Sequence, residues 1–169
     1  MIVAKLGFDG TVRWMGTYGP HRPTQGGFWA RSLLASDSSL FLVNFDDDES
    51  AQVLKIDPKG ALLWNTEYSN PGTSIVSANP NMDGGLTLTG ARQAWPYPFT
   101  AIRIGASAKV LWTNIYPLAS PESTSLSTLD GGSLFVALPP QDDVGSSLSI
   151  VKTDALGNTG AVQQFPPPY

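Results

Sequence analysis

The sequence predicts an all-β chain built as an array of four-stranded antiparallel units, about three and a half of them in 169 residues. Three observations point there. A fourteen-residue signature recurs four times at nearly even spacing. An Asp-centred turn flanked by alternating apolar residues recurs between its copies. No window carries the 3.6-residue apolar period of an amphipathic helix, so almost no helix is expected.

The signature is plainest in KIDPKGALLWNTEY (55–68) and has relatives in KLGFDGTVRWMGTY (5–18), RIGASAKVLWTNIY (103–116) and KTDALGNTGAVQQF (152–165). Each copy opens on a cation, Lys5, Lys55, Arg103 or Lys152, and these lie 50, 48 and 49 residues apart. Five residues on stands Gly10, Gly60 or Gly157, with Ala108 as the exception. Nine residues on stands Trp14, Trp64 or Trp112, with Ala161 breaking the pattern, and four later comes Tyr18, Tyr68, Tyr116 or Phe165. Three positions holding register over such distances mark a true internal repeat.

The second recurring element is SDSSLFLVN (36–44), NMDGGLTLTG (81–90) and TLDGGSLFVA (128–137), in which Asp37, Asp83 and Asp130 recur at 46 and 47 residues. Asp-Gly-Gly between extended runs reads as a hairpin turn, with glycine supplying the positive φ that a primed turn requires. One unit therefore reads as four short strands, placed in the middle copy near 73–79, 85–91, 99–105 and 109–116. In its last strand Val110, Trp112, Asn114 and Tyr116 share one face by the two-residue period, as Leu62, Trp64, Thr66 and Tyr68 do one unit earlier.

Four-stranded units at 40–50-residue intervals are the signature of β-propeller blades, so the fold expected is a β-propeller-like array. The Lys-x-Asp-x-x-Gly-x-x-x-Trp pattern with its Asp-Gly-Gly hairpin resembles a family of bacterial and archaeal propeller repeats, many of them in exported proteins. It is also similar to the tryptophan-docking repeat of quinoprotein dehydrogenases and of outer-membrane assembly propellers. The resemblance covers nearly the whole chain and implies that the motif residues are structural. It implies nothing about activity, since one fold hosts many functions.

Residues 1–169 read as a single propeller-type domain with a half blade at 1–19 and blades at 24–68, 73–116 and 123–165. The count falls below the 4–8 blades of a closed propeller. Nothing after Phe165 completes the half blade, because Phe-Pro-Pro-Pro-Tyr is too short and too proline-rich for a strand. The expectation is a half propeller completed by itself, as a homodimer with about seven blade equivalents, or by the remainder of a longer propeller.

Composition narrows the function. A net charge of −4 and a pI near 4.7 disfavour nucleic acid, whose binders need a basic face. The chain has no cysteine and one histidine, so thiol chemistry, cysteine-bound zinc and a His-His metal pair are excluded. No apolar run approaches the roughly 20 residues of a membrane-spanning helix, and the start, MIVAKLGFDG, has too short an apolar run for a signal peptide. Low charge with abundant Ser, Thr, Gly and Pro favours an extracellular or cell-surface setting on composition alone.

Candidate sites fall in the loops after the second and fourth strands of each unit, which share one face of a propeller. Trp95, Tyr97 and Phe99, spaced by two, form a candidate platform for a glycan or peptide; the plainer reading is an aromatic lid on a neighbouring blade or subunit. His21 and Arg22 are a candidate anion-binding or acid/base pair with no evident carboxylate or serine partner. Asp46, Asp47 and Asp48 offer oxygens to Ca²⁺ but lack the alternating spacing that wraps one ion, so a solvated loop is the simpler expectation. The tail Pro166-Pro167-Pro168-Tyr169 matches the Pro-Pro-x-Tyr ligand of WW domains, and more simply is an extended cap.

The expected first strands, 28–35, 73–79 and 123–128, contain no Asp or Glu, so no carboxylate pair converges where a glycosidase would need one. No catalytic residue and no cofactor is expected, a quinone included. The reading is a non-catalytic binding or structural assembly module. The competing class is a glycoside hydrolase or lyase with a site formed across subunits.

Overall fold

The structure is a computed structural model that describes residues 2–18, 29–46, 50–70, 73–92, 98–119, 122–138 and 148–165. It is all-β, with no helix among the described residues. Fourteen strands follow one another: β1 Ile2–Leu6, β2 Val12–Thr17, β3 Trp29–Leu34, β4 Leu40–Asp46, β5 Ser50–Ile56, β6 Leu62–Ser69, β7 Thr73–Pro80, β8 Leu86–Arg92, β9 Pro98–Ile104, β10 Val110–Ala119, β11 Glu122–Ser127, β12 Ser133–Leu138, β13 Leu148–Thr153 and β14 Thr159–Phe165. They make one two-stranded sheet, β1-β2, and three four-stranded antiparallel sheets, β3 to β6, β7 to β10 and β11 to β14, each in sequence order. No sheet among the described residues closes on itself.

Period-two alternation explains how one sheet serves two interfaces. On β4, Phe41, Val43 and Phe45 face the third sheet, where they meet Ile75, Leu86, Leu88, Ile102 and Ile104. Leu40 and Leu42, the intervening residues, face back toward β1-β2 with Leu54 and Ile56. On β9 the same split occurs: Ile102 and Ile104 join the former core, while Phe99 and Ala101 join Phe135 and Val151 of the last sheet. Each apolar face is thus buried by the adjacent sheet, as a small sheet requires. Burying one such side chain completely stabilises by about 2–3 kcal/mol.

The hairpin turns differ from expectation in type. Asn81–Gly84 closes with the Gly84 N–H donating to the Asn81 carbonyl, and Asn81 N–H bonds the Gly85 carbonyl. Positive φ falls only on the fourth residue, Gly84 at 76°. That is a three-residue loop with a left-handed final residue and a bulge, not the primed two-residue turn. Every hairpin at this end of the sheets repeats the pattern, with Ser38 (65°) and Ala108 (69°) taking a conformation that ordinarily favours glycine. The first strand of the last sheet also begins earlier than expected and includes Glu122.

Candidate functional site

The residues of the repeat converge on a dock between successive sheets. At the last strands of the first three sheets, Trp14 and Tyr18, Trp64 and Tyr68, and Trp112 and Tyr116 sit four positions apart and so lie on one face. The indole N–H of Trp14 donates to the Pro58 carbonyl at 3.0 Å, that of Trp64 to Ala106 at 2.9 Å, and that of Trp112 to Ala155 at 3.0 Å. The Tyr18, Tyr68 and Tyr116 hydroxyls donate to the carbonyls of Gly60, Ala108 and Gly157 at 2.6, 2.7 and 3.0 Å. In every case the acceptors are the second and fourth residues of the last hairpin turn in the following sheet.

Two of the three acceptor turns carry glycine at the fourth position, where two constraints meet, and the third carries Ala108 at a φ of 69°. Gly60 has a φ of 92°, and a Cβ there would stand 2.9 Å from the Trp14 ring; Gly157 has a φ of 81° and a Cβ would meet the Trp112 ring at the same distance. The turn is preorganised by its own acid: Asp57 accepts from the Lys59 and Ala61 N–H groups, and Asp154 from Leu156 and Asn158. Asp154 is held below its ordinary pKa first by the Asn158 side chain and then by these backbone bonds.

A second, inner set of contacts ties each third strand to its own first hairpin. Lys55, Arg103 and Lys152 form ion pairs with Asp37, Asp83 and Asp130, each at 2.8 Å. Lys55 also donates to the Gly84 carbonyl at 2.8 Å, so its buried ammonium joins the turn of its own sheet to that of the next. Burial pushes the Asp37 carboxyl up, and the Lys55 ammonium with Ser39 overcomes it, bringing the group down to about 2. Asp83 shifts down by the same balance with Arg103, and Asp130 lies well below the usual range because Lys152, Thr128 and the Gly132 N–H all bond it. Tyr68 and Tyr116 are shifted up by burial.

Phe99 does not belong to a surface platform. It is fully buried on β9 and packs with Tyr116 at 5.8 Å and with Phe135 of the next sheet at 5.0 Å between ring centres. Trp95, Tyr97, His21, Arg22, Asp47, Asp48 and residues 166–169 lie outside the described residues, and the backbone of Asp46 ends β4 opposite Ser50. Among the described residues no group of three His, Cys, Asp or Glu could hold a metal ion. No family model matches the chain, and no curated protein matches it.

The two ends of the array break the dock in opposite ways. At the β1-β2 end the turn Gly7–Gly10 repeats the acceptor geometry, with a Gly10 φ of 81°, yet nothing stands within 4 Å of a Cβ built there. At the β14 end Ala161 and Phe165 replace the two donors, so the last strand has neither indole nor phenol to offer. Phe165 is exposed. The ion pairs escaped the sequence reading although both columns were visible in it. Their signal was that each aspartate precedes a cation by 18 to 22 residues: Asp37 and Lys55, Asp83 and Arg103, Asp130 and Lys152.

Proposed function

We propose that this chain is a non-catalytic structural assembly module, a partial propeller whose sheets stack through the Trp/Tyr dock and whose ends join further sheets. The observation that carries this reading is the threefold recurrence of the dock, with both donors and both acceptors in the same places. The chemistry-bearing residues of the repeat are occupied in holding sheets together. Asp37, Asp83 and Asp130 are ion-paired, and Asp9, Asp57 and Asp154 bond the backbone of their own turns. Peptide or glycan recognition through residues 93–97 belongs to this reading as a binding module rather than an enzyme.

Completion by a second copy gives a ring of about seven blade equivalents. In such a ring the β14 end would meet its neighbour without the indole and phenol donors, because Ala161 and Phe165 stand in their places. Sedimentation equilibrium over a hundredfold concentration range tests the assembly reading. A concentration-dependent rise above the 18.0 kDa of one chain is expected. A folded particle of that mass at every concentration would contradict self-completion.

A further inference from the structure

The sheet β1-β2 corresponds to the third and fourth strands of its neighbours, and the comparison shows what it lacks. Lys5 occupies the place of Lys55, Arg103 and Lys152, opposite its tryptophan in the same register: Lys5 with Trp14, Lys55 with Trp64, Arg103 with Trp112. The three sister cations are ion-paired to a hairpin aspartate. Lys5 is exposed and has no carboxylate partner among the described residues. Leu6 is 59% exposed, while Ile56 and Ile104 in the same position are 0% exposed.

Beside this edge lies a mainly apolar cavity of about 390 Å³, lined by Lys5 and Leu6 on β1, by Leu34, Leu40 and Leu42 of the next sheet, and by Asp57, whose carboxylate accepts from its own turn. In the third sheet the corresponding space is filled by β7 and β8, whose Ile75, Ala78, Leu86 and Leu88 are buried against their neighbour. The β1 edge and the Lys5 ammonium, both unpaired among the described residues, and the mainly apolar cavity therefore share one shape, that of a first hairpin.

We propose that the β1 edge is a strand-complementation site for one kind of occupant: a β-hairpin with alternating apolar residues and an aspartate in its turn. Its second strand adds to β1 by main-chain hydrogen bonds, its apolar face fills the cavity, and its turn aspartate pairs with Lys5. Among its described residues a second copy has no unpaired first hairpin, since β3-β4, β7-β8 and β11-β12 each complete their own sheet, and it would reach this edge only with its own β1. The inference rests on the assembly reading and specifies the partner at one end.

The test uses the full chain and a fluorescein-labelled peptide of residues 73–92, which carries a hairpin of this design. Saturable binding by anisotropy is expected, with slowed amide exchange along β1. The Asp83→Asn peptide binds roughly tenfold more weakly, as does native peptide to the Lys5→Glu chain, because each leaves a charged group without its partner. Asp83→Lys peptide with Lys5→Glu chain recovers most of the loss, an outcome that mere stickiness of an apolar edge would not give. Lys5 is exposed, so its replacement leaves the fold intact, as circular dichroism will show. Absence of saturable binding to the folded chain would overturn the proposal, as would binding indifferent to both charges. Self-association of the chain without capture of the peptide would overturn it too, while leaving the assembly reading in place.

Discussion

The junction between the second and third sheets and the junction between β1-β2 and the second sheet use the same dock and differ in almost everything else. In both, an indole N–H and a phenol O–H reach the carbonyls of the following turn. Only the former adds a first hairpin, an ion pair of a buried lysine with a half-exposed aspartate, and a thirteen-residue buried core; the latter buries Tyr18, Leu42, Leu54 and Ile56 over an open cavity. The difference separates two jobs. The outer strand and its aromatics set where one sheet meets the next, while the first hairpins contribute eight of the thirteen residues of that core and hence the larger share of its free energy.

Removing the indole at each junction makes the largest test of that separation. Trp64→Ala is expected to cost about 3 kcal/mol, since Trp64 packs on Phe41 at 5.8 Å and borders the largest core. Trp14→Ala is expected to cost about half as much or less, because it borders a buried cluster of four residues beside an open cavity. Urea unfolding of both variants checks the ratio; equal losses would mean that the dock alone holds the sheets.

The inner ion pairs offer the next contrast. Asp83→Asn leaves the Arg103 guanidinium, almost wholly buried, without its carboxylate, and a loss of about 2 kcal/mol is expected. Asp130→Asn frees an exposed Lys152 ammonium and is expected to lower the midpoint far less. Thermal denaturation of the two variants, side by side, decides it.

Turn glycines give a smaller, two-way comparison. Gly60→Ala is expected to cost about 1–2 kcal/mol, from the left-handed backbone and from crowding of the Trp14 ring. Ala108→Gly relieves the same backbone strain in the one last hairpin turn without glycine at its fourth position and is expected to gain up to about 1 kcal/mol, read as a rise in Tm.

Acid sharpens the picture from another side. Asp37 and Asp83 have folded pKa values below their unfolded ones, so each binds a proton more weakly when folded. Their contribution is therefore fully present above about pH 4 and is lost as pH falls toward the folded value, about 2 for Asp37. Stability measured between pH 5 and pH 2 should fall, and fall less steeply in the Asp37→Asn, Asp83→Asn double variant. An unchanged slope would detach these carboxylates from the fold.

Much of the architecture was legible because a repeat reports the same constraint several times. Strands expected near 73–79, 85–91, 99–105 and 109–116 lie at 73–80, 86–92, 98–104 and 110–119. The shared face of Trp64 and Tyr68 also followed from period two. What a single chain could not show was the address of the donors: burial of an aromatic follows from its pattern, but the carbonyl that its N–H reaches follows from the stacking of sheets. Phe99 illustrates the same gap. Its spacing from Trp95 and Tyr97 suggested one platform, yet β9 begins at Pro98 and alternation turns Phe99 inward. Asp-Gly-Gly announced a turn but not its type, because glycine serves a bulged loop as well as a primed one.

Amide hydrogen exchange of the isolated chain, in dilute solution, tests the central claim most directly. If the inner hairpin supplies the free energy and the dock only the placement, amides of β1 exchange at least a hundredfold faster than those of β5 and β9, their counterparts in complete sheets. Equal protection of all three strands would contradict it, showing that β1-β2 is as firmly held as the four-stranded sheets and that its open edge lacks nothing.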